Sequence, residues 1–173
     1  MTRNDNKLRL ITLTAVFAAL IYVLTAFLHV PTIKGYVHIG DGVIFLAASI
    51  LPTPYAAAAA AIGAGLSDAL SGYFIWVPAT IVIKALTTLA FTNKSEHIIG
   101  TRNLLALIPA LILCVGGYGL YSGLVIYHSL AAGFADAAAN TVQIVASSIV
   151  FVLAGTALDR TKAVKRVKKT QKA

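Results

Sequence analysis

The chain has 173 residues, of which 58% are hydrophobic and 12% are charged, and its formal net charge is +8. Its mean hydropathy is +0.84, whereas soluble domains carry about 25% charged residues, so the composition excludes a water-soluble globule. At roughly 20 residues per crossing, the length predicts a single transmembrane domain over 1–173 with no room for an ordinary soluble catalytic or ATP-binding domain.

Six apolar segments separated by helix breakers predict an all-α integral membrane protein with six transmembrane helices. Pro52 and Pro54 follow the second segment, and Gly72 and Pro78 bracket the next turn. A polar run over 93–103 separates the fourth and fifth segments. The second segment is short for a crossing and on length alone could be re-entrant. The predicted helices lie near 8–28, 38–51, 54–74, 77–92, 103–127 and 135–158.

The basic residues predict that both termini face the cytoplasm. With the N-terminus inside, twelve of the 14 Lys and Arg fall on the inner side, seven of them in the tail over 159–173. Lys34 falls in an outer loop and Lys84 within a helix. This bias follows the positive-inside rule, and its parity requires the segment 38–51 to cross the membrane. The tail is interpreted as an anchor to anionic lipid, with partner docking as the alternative, and not as a nucleic-acid patch.

Polar side chains inside the predicted helices lie within roughly 15 Å of the outer surface, counted at 1.5 Å per residue. The inner halves are apolar, as over 56–61 and 144–150. Polar groups in a bilayer are costly and tend to mark function. The distribution therefore predicts a ligand pocket open to the outside, and it does not resemble a proton relay or a channel. The candidate substrate-binding residues are Gly40, Asp41, Asp68, Trp76, Lys84, Tyr118, Asn140 and Gln143.

Structural roles remain open for the same residues. Asp68 and Lys84 could form an ion pair, and Asn140 with Gln143 could join helices through hydrogen bonds. Asp41 could cap the second helix, since Asp is favoured at helix N-termini.

Other features limit the chemistry that the chain can perform. Trp76 could belong to an interfacial aromatic belt. His29, His38 and His128 lack metal-ligand spacing, so no metal or cofactor is expected. There is no phosphate-binding loop and no hydrolase or protease motif. The sequence therefore predicts that the chain is not an enzyme.

Ala15 and Ala19 form an A-x-x-x-A face on the first helix. Small faces let helices approach closely. The spacing leaves open whether the partner helix is internal or belongs to another protein.

Four motifs follow one another in the first half of the chain. VHIGDGVIFLAA begins at Val37, LPTPYA at Leu51, GAGLSD at Gly63 and PATIVIK at Pro78. This order resembles the S components, the substrate-binding subunits of energy-coupling factor (ECF) transporters, and in particular their riboflavin, hydroxymethylpyrimidine and pyridoxine branch. The Leu-Pro-Thr-Pro turn departs from the family's usual Leu-Gly-Pro.

The resemblance implies a multi-pass subunit of the prokaryotic cell membrane that captures a vitamin from outside. It implies that Ala15 and Ala19 dock a transmembrane coupling subunit, and that two partner ATPases hydrolyse the ATP. The loop 29–37 and the turn 71–77 would then cover the ligand.

The polar and tyrosine residues of the predicted pocket suit a flat heterocycle with hydroxyl or amine groups. A pyrimidine or pyridine vitamin or precursor is favoured over riboflavin. The alternative functions are an ion-coupled secondary transporter acting as a homodimer, and a scaffold that transports nothing.

Overall fold

The computed structural model describes residues 3–31, 36–161 and 167, and within them it is a helical bundle with one short β-hairpin. Lys34 and most of the predicted basic tail lie outside the described residues. The helices are α1 (Arg3–Ala26), α2 (Asp41–Ile50), α3 (Thr53–Leu70), α4 (Val77–Thr88), α5 (Thr101–Leu105), α6 (Leu107–Tyr121), α7 (Leu130–Ala137) and α8 (Ala139–Asp159), and the strands are β1 (His29–Pro31) and β2 (Tyr36–His38).

Three helical stretches are long and apolar enough to cross a membrane by length and composition: 4–26, 101–126 and 130–159. Shorter apolar helices lie at 41–50 and 74–88, and α3 adds 18 residues. Each of the six predicted segments is thus mainly helical, which confirms the all-α class. The orientation of the termini stays a prediction.

The second helix is shorter than predicted. The segment 38–51 contains α2 over only 10 residues, about 15 Å of helix, against a hydrocarbon core of about 30 Å. It ends before Pro52 because a residue preceding proline is driven out of the helical region; Leu51 accordingly has φ −90° and ψ 154°. Every residue of α2 is buried, so this helix lies at the centre of the bundle.

A short β-hairpin lies between the first two helices and includes His38, the first residue of the second predicted segment. The strands β1 and β2 pair antiparallel, with His29 opposite His38 and Pro31 opposite Tyr36. The first helix ends at Ala26, two residues before the predicted end near 28. The hairpin was not predicted, because three-residue strands leave no periodic pattern in the sequence.

The remaining predicted helices are divided by turns. The segment 54–74 ends as a helix at Leu70, and Gly72 adopts φ +85° in the turn that follows. Residues 74–76 then form a 3₁₀ turn that leads into α4, which ends at Thr88 and not near 92. The segment 103–127 comprises α5, α6 and a π-helical turn over 122–126. The segment 135–158 begins earlier, at Leu130, and divides at Ala138 into α7 and α8.

The core is packed closely at two places. A Cβ added to Gly63 on α3 would lie 2.5 Å from the carbonyl oxygen of Ala18 on α1, so these helices touch through their backbones. The rings of Phe45, Phe91 and Phe151 have centroids 5.0–6.0 Å apart and fill the bundle on the side away from the hairpin.

A carboxylate closes the end of the bundle opposite the hairpin. Asp159, the last residue of α8, accepts hydrogen bonds from the backbone N–H groups of Ile98 and Ile99 at 2.8 and 2.9 Å. Asn103 accepts from Thr92 N–H and donates to the carbonyls of Thr92 and Ile98. The loop between α4 and α5 is therefore fixed to α8.

Candidate ligand-binding site

A cavity of about 60 Å³ lies between the hairpin and the neighbouring ends of α3, α4, α6, α7 and α8. That is room for roughly four to six water molecules. Because these elements all meet at one end of the bundle, residues far apart in the sequence converge there. The lining residues are Tyr36, Val37, His38, Asp68, Trp76, Thr80, Tyr118, Asp136, Ala139, Asn140 and Gln143.

Tyr36 attaches the hairpin to α3. Its hydroxyl donates to Asp68 Oδ1 at 2.6 Å and lies 3.2 Å from Ser67 Oγ. Its ring lies 4.7 Å from that of His29 and 4.9 Å from that of Tyr73, measured between centroids. Burial, followed by the charge of Asp68, raises the pKa of Tyr36 well above its usual value, so it stays a donor. The hairpin thus forms a lid that is hydrogen-bonded to the cavity wall.

An aromatic wall forms another side of the cavity. The centroid of the Trp76 ring lies 5.8 Å from those of Tyr118 and Tyr121. The Tyr118 hydroxyl is 2.8 Å from Thr80 Oγ1, and the Tyr121 hydroxyl donates to the Ile75 carbonyl. These contacts fix the ring positions, as a surface for stacking a flat ligand requires.

A buried ion pair lies beneath the cavity. Lys84 Nζ is 2.8 Å from Asp41 Oδ1 and 2.9 Å from Asp41 Oδ2. Lys84 Nζ also lies 3.6 Å from Cys114 Sγ and 5.2 Å from the centroid of the Tyr118 ring. Both charged residues are 1% exposed. Asp41, and not Asp68 as the sequence allowed, is therefore the ion-pair partner of Lys84.

Gln143 joins this pair to the cavity and the lid. Its Nε2 donates to Asp41 Oδ2 at 2.7 Å, and its Oε1 accepts from the His38 backbone N–H at 3.3 Å. The two bonds fix the orientation of the amide. His38 Nδ1 accepts from the Gly40 N–H at 3.1 Å, and burial lowers the pKa of its imidazole to about 4, so His38 is neutral at pH 7.

One polar atom of the cavity is unsatisfied. Asp68 is 6% exposed, and its Oδ2 has no hydrogen-bond partner among the residues that the structure describes. A buried acceptor without a donor costs about 1–3 kcal/mol. The carboxyl group is thus arranged to accept a hydrogen bond that the described part of the chain does not supply.

The structure divides the candidate substrate-binding residues into two groups. Asp68, Trp76, Tyr118, Asn140 and Gln143 line the cavity. Gly40, Asp41 and Lys84 lie outside the lining.

Gly40 is fully packed, since a Cβ there would lie 2.1 Å from Thr25 Oγ1. Asp41 and Lys84 form the layer underneath. These three residues support the lining but do not reach the cavity.

Six further lining residues were not among the candidates, and four of them have polar side chains. Tyr36 and His38 lie on the hairpin. Thr80 lies one turn before Lys84 on α4, and Asp136 lies on α7, at the start of the sixth predicted crossing. The depth argument applied to Asn140 could have found Asp136, whereas nothing in the sequence placed the hairpin over the cavity.

The chain matches the family model of the ECF-type riboflavin transporter S component over residues 5–160. It belongs to this family. No curated protein matches the chain. The resemblance seen in the sequence is thereby confirmed, and this S component is an integral membrane subunit that captures a vitamin for an ECF transporter. It is a transport subunit and not an enzyme, and it works with a module of transmembrane and ATPase subunits. The family assignment argues against both alternative functions, an ion-coupled secondary transporter acting as a homodimer and a scaffold that transports nothing.

Proposed function

We propose that this S component captures a small, flat nitrogen heterocycle of the pyrimidine or pyridine type, such as hydroxymethylpyrimidine or pyridoxine, in the cavity beneath the hairpin. The observation that carries the proposal is the composition of the cavity. The aromatic residues Trp76 and Tyr118 line it together with a few polar groups, Asp68, Asn140 and Gln143. Small-molecule sites combine apolar surface with a few placed polar groups in this way.

The size of the cavity supports a single-ring ligand. At about 60 Å³ it must widen to admit any vitamin, and it must widen most for the three-ring system of riboflavin. Riboflavin is the second candidate, because the matching family model is described as a riboflavin transporter component. Its capture requires the hairpin to move away from Asp68.

We infer that the cavity opens to the outside and that both termini face the cytoplasm. The basic residues support this orientation, since Lys94 and Arg102 flank the end of the bundle opposite the hairpin. Below the cavity, the Asp41–Lys84 pair and the phenylalanine cluster pack the interior. Release inward therefore needs a movement of the whole subunit or its helices, which ATP hydrolysis by the partner module would drive.

The exposed face of α1 is suited to contact the transmembrane coupling subunit. Ala15 and Ala19 are exposed, whereas Ala18 turns inward onto Gly63. The A-x-x-x-A pair is therefore not used for internal packing, which supports its role in docking.

Replacing both alanines by leucine should abolish co-purification with the transmembrane coupling subunit but leave vitamin binding intact. Val145→Leu, at an exposed position of α8, is the matched control; loss of binding to the module there too would contradict the assignment.

Ligand binding is tested by thermal shift of the detergent-purified protein against hydroxymethylpyrimidine, pyridoxine, riboflavin and other water-soluble vitamins. A ligand at 100 times its Kd stabilises the protein by about 2.7 kcal/mol. The shift should be lost in Asn140→Ala, which lines the cavity, and kept in Val142→Ala, which is 66% exposed on the same helix. A shift with riboflavin alone would replace the proposed substrate class, and no shift with any vitamin would refute the site.

A further inference from the structure

The two oxygens of the Asp68 carboxyl group differ in their hydrogen bonding. Tyr36 occupies Oδ1 at 2.6 Å, and Oδ2 is buried without a partner among the described residues. Closing the hairpin therefore leaves one acceptor position on this group. A ligand that offers a single N–H or O–H donor there would complete its hydrogen bonding.

The charges around the cavity are uneven. Two carboxyl groups line it, those of Asp68 and Asp136, and the described lining contains no Lys or Arg. The nearest ammonium group, that of Lys84, is 1% exposed and bonded to Asp41. His38 is neutral at pH 7 because burial lowers its pKa to about 4. The described lining thus offers no group that would neutralise an anionic ligand.

We propose that Asp68 selects, through Oδ2, a heterocycle carrying an exocyclic amino group or a protonated ring nitrogen, and that the cavity excludes the phosphate ester of the same ring. This inference rests on the proposed function and narrows its substrate class. A hydrogen bond in which one partner is ionised is roughly twice as strong as a neutral one. A phosphate would instead meet two carboxyl groups at close range, where like charges repel.

The lid contributes to this selection. Tyr36 and the ligand donor bind different oxygens of the Asp68 carboxyl group. When the bound ligand is an amine, both oxygens therefore accept a hydrogen bond beneath the hairpin. A ligand lacking the donor leaves Oδ2 buried and unpaired even when the lid is closed. Discrimination therefore arises from the penalty on the wrong ligand as much as from the bond to the right one.

The test compares ligands that differ only at the donor. The probes are hydroxymethylpyrimidine, its analogue with a methyl group replacing the amino group, and its phosphate ester, measured by calorimetry on the purified subunit. The wild type should bind the amine more tightly than the methyl analogue by a factor of about 10 to 150, the range for hydrogen bonds to charged groups. The phosphate ester should show no measurable binding.

Asp68→Asn supplies the matched variant. Its amide keeps an oxygen for Tyr36 and turns an N–H₂ toward the ligand donor, so the preference for the amine should fall to about onefold to threefold. Asp5→Asn, in the exposed first turn of α1 and outside the cavity lining, should keep the preference. The comparison of ligands on the wild type needs no variant, so it tests the proposal even if the Asp68→Asn variant misfolds.

The outcomes separate the two proposals. Equal binding of the amine and the methyl analogue by the wild type overturns the role of Asp68 but leaves the proposed substrate class standing. Binding of the phosphate ester as tightly as the free ring also overturns the inference. If neither pyrimidine nor pyridine probes bind while riboflavin does, both the substrate class and the inference are wrong.

Discussion

Lys84→Met tests the role of the buried ion pair. The substitution keeps a long, flexible side chain but removes the ammonium group that lies 2.8 Å from Asp41. Among the side chains that the structure describes, Gln143 is then the one left bonded to Asp41, which is 1% exposed. A carboxylate at the centre of the bundle would be left without a cation.

The expected loss follows from this burial. Removing one partner of a buried pair costs about 3–5 kcal/mol, because the remaining charge is uncompensated. For a chain of this length, about 1 kcal/mol shifts the melting temperature by roughly 2–4 °C. The Lys84→Met variant should therefore melt about 6–20 °C below the wild type.

The fluorescence of Trp76 provides the assay. The chain contains one tryptophan, and it packs against Tyr118 in the cavity wall. Its emission during heating therefore reports on the region directly above the ion pair. The matched control is the double variant Asp41→Asn with Lys84→Met, which removes both charges and keeps an acceptor for Gln143.

The double variant should melt closer to the wild type than Lys84→Met does, since replacing both members of a buried pair is often close to neutral. The reasoning would be refuted if Lys84→Met melted within about 2 °C of the wild type. It would also fail if the double variant were less stable than the single one, because the pair would then stabilise the fold by its own attraction.

Three further predictions concern other parts of the fold. Gly63→Ala forces α1 away from α3 and should cost about 1–3 kcal/mol, whereas Gly116→Ala, with open space around the added Cβ, should not lower the melting temperature. Burial lowers the pKa of His38 to about 4 from 6.5. The free energy of unfolding should therefore be fully retained above pH 6.5 and should fall toward pH 4, by up to about 3 kcal/mol. In the His38→Asn variant, the melting temperature should depend less on pH over this range. Asp159→Ala leaves two N–H groups without an acceptor and should speed hydrogen exchange in the loop between α4 and α5, while Asp159→Asn should restore part of the protection.

Hydropathy and the cost of polar groups in lipid predicted much of the site. The bilayer requires helices, and each polar side chain within it is costly. The similar depth of Asp68, Tyr118, Asn140 and Gln143 therefore predicted that they belong to one pocket. Those four residues do meet at one cavity. The reason is that a depth within each helix becomes a common level once the helices pack side by side.

Lateral placement could not be predicted in the same way. The sequence left the ion-pair partner of Lys84 open, and the packing of α2 against α4 and α8 places Asp41 beside it. The hairpin could not be predicted, because three paired residues on each strand, such as His29 and His38, leave no recognisable pattern in the sequence. Depth could be read from the sequence, but the choice of neighbour depends on helix rotation.

The central position of α2 has a consequence for the biogenesis of the protein. A helix of ten buried residues is too short for stable independent insertion. An Asp within it adds to the cost, which reaches about 2.5–3.5 kcal/mol at a helix centre on insertion scales. The groups that compensate Asp41 are Lys84 and Gln143, and Gln143 is synthesised about a hundred residues later. The segment should therefore reach its final place only after translation of α8, as a late step in which helices already in the bilayer close around it.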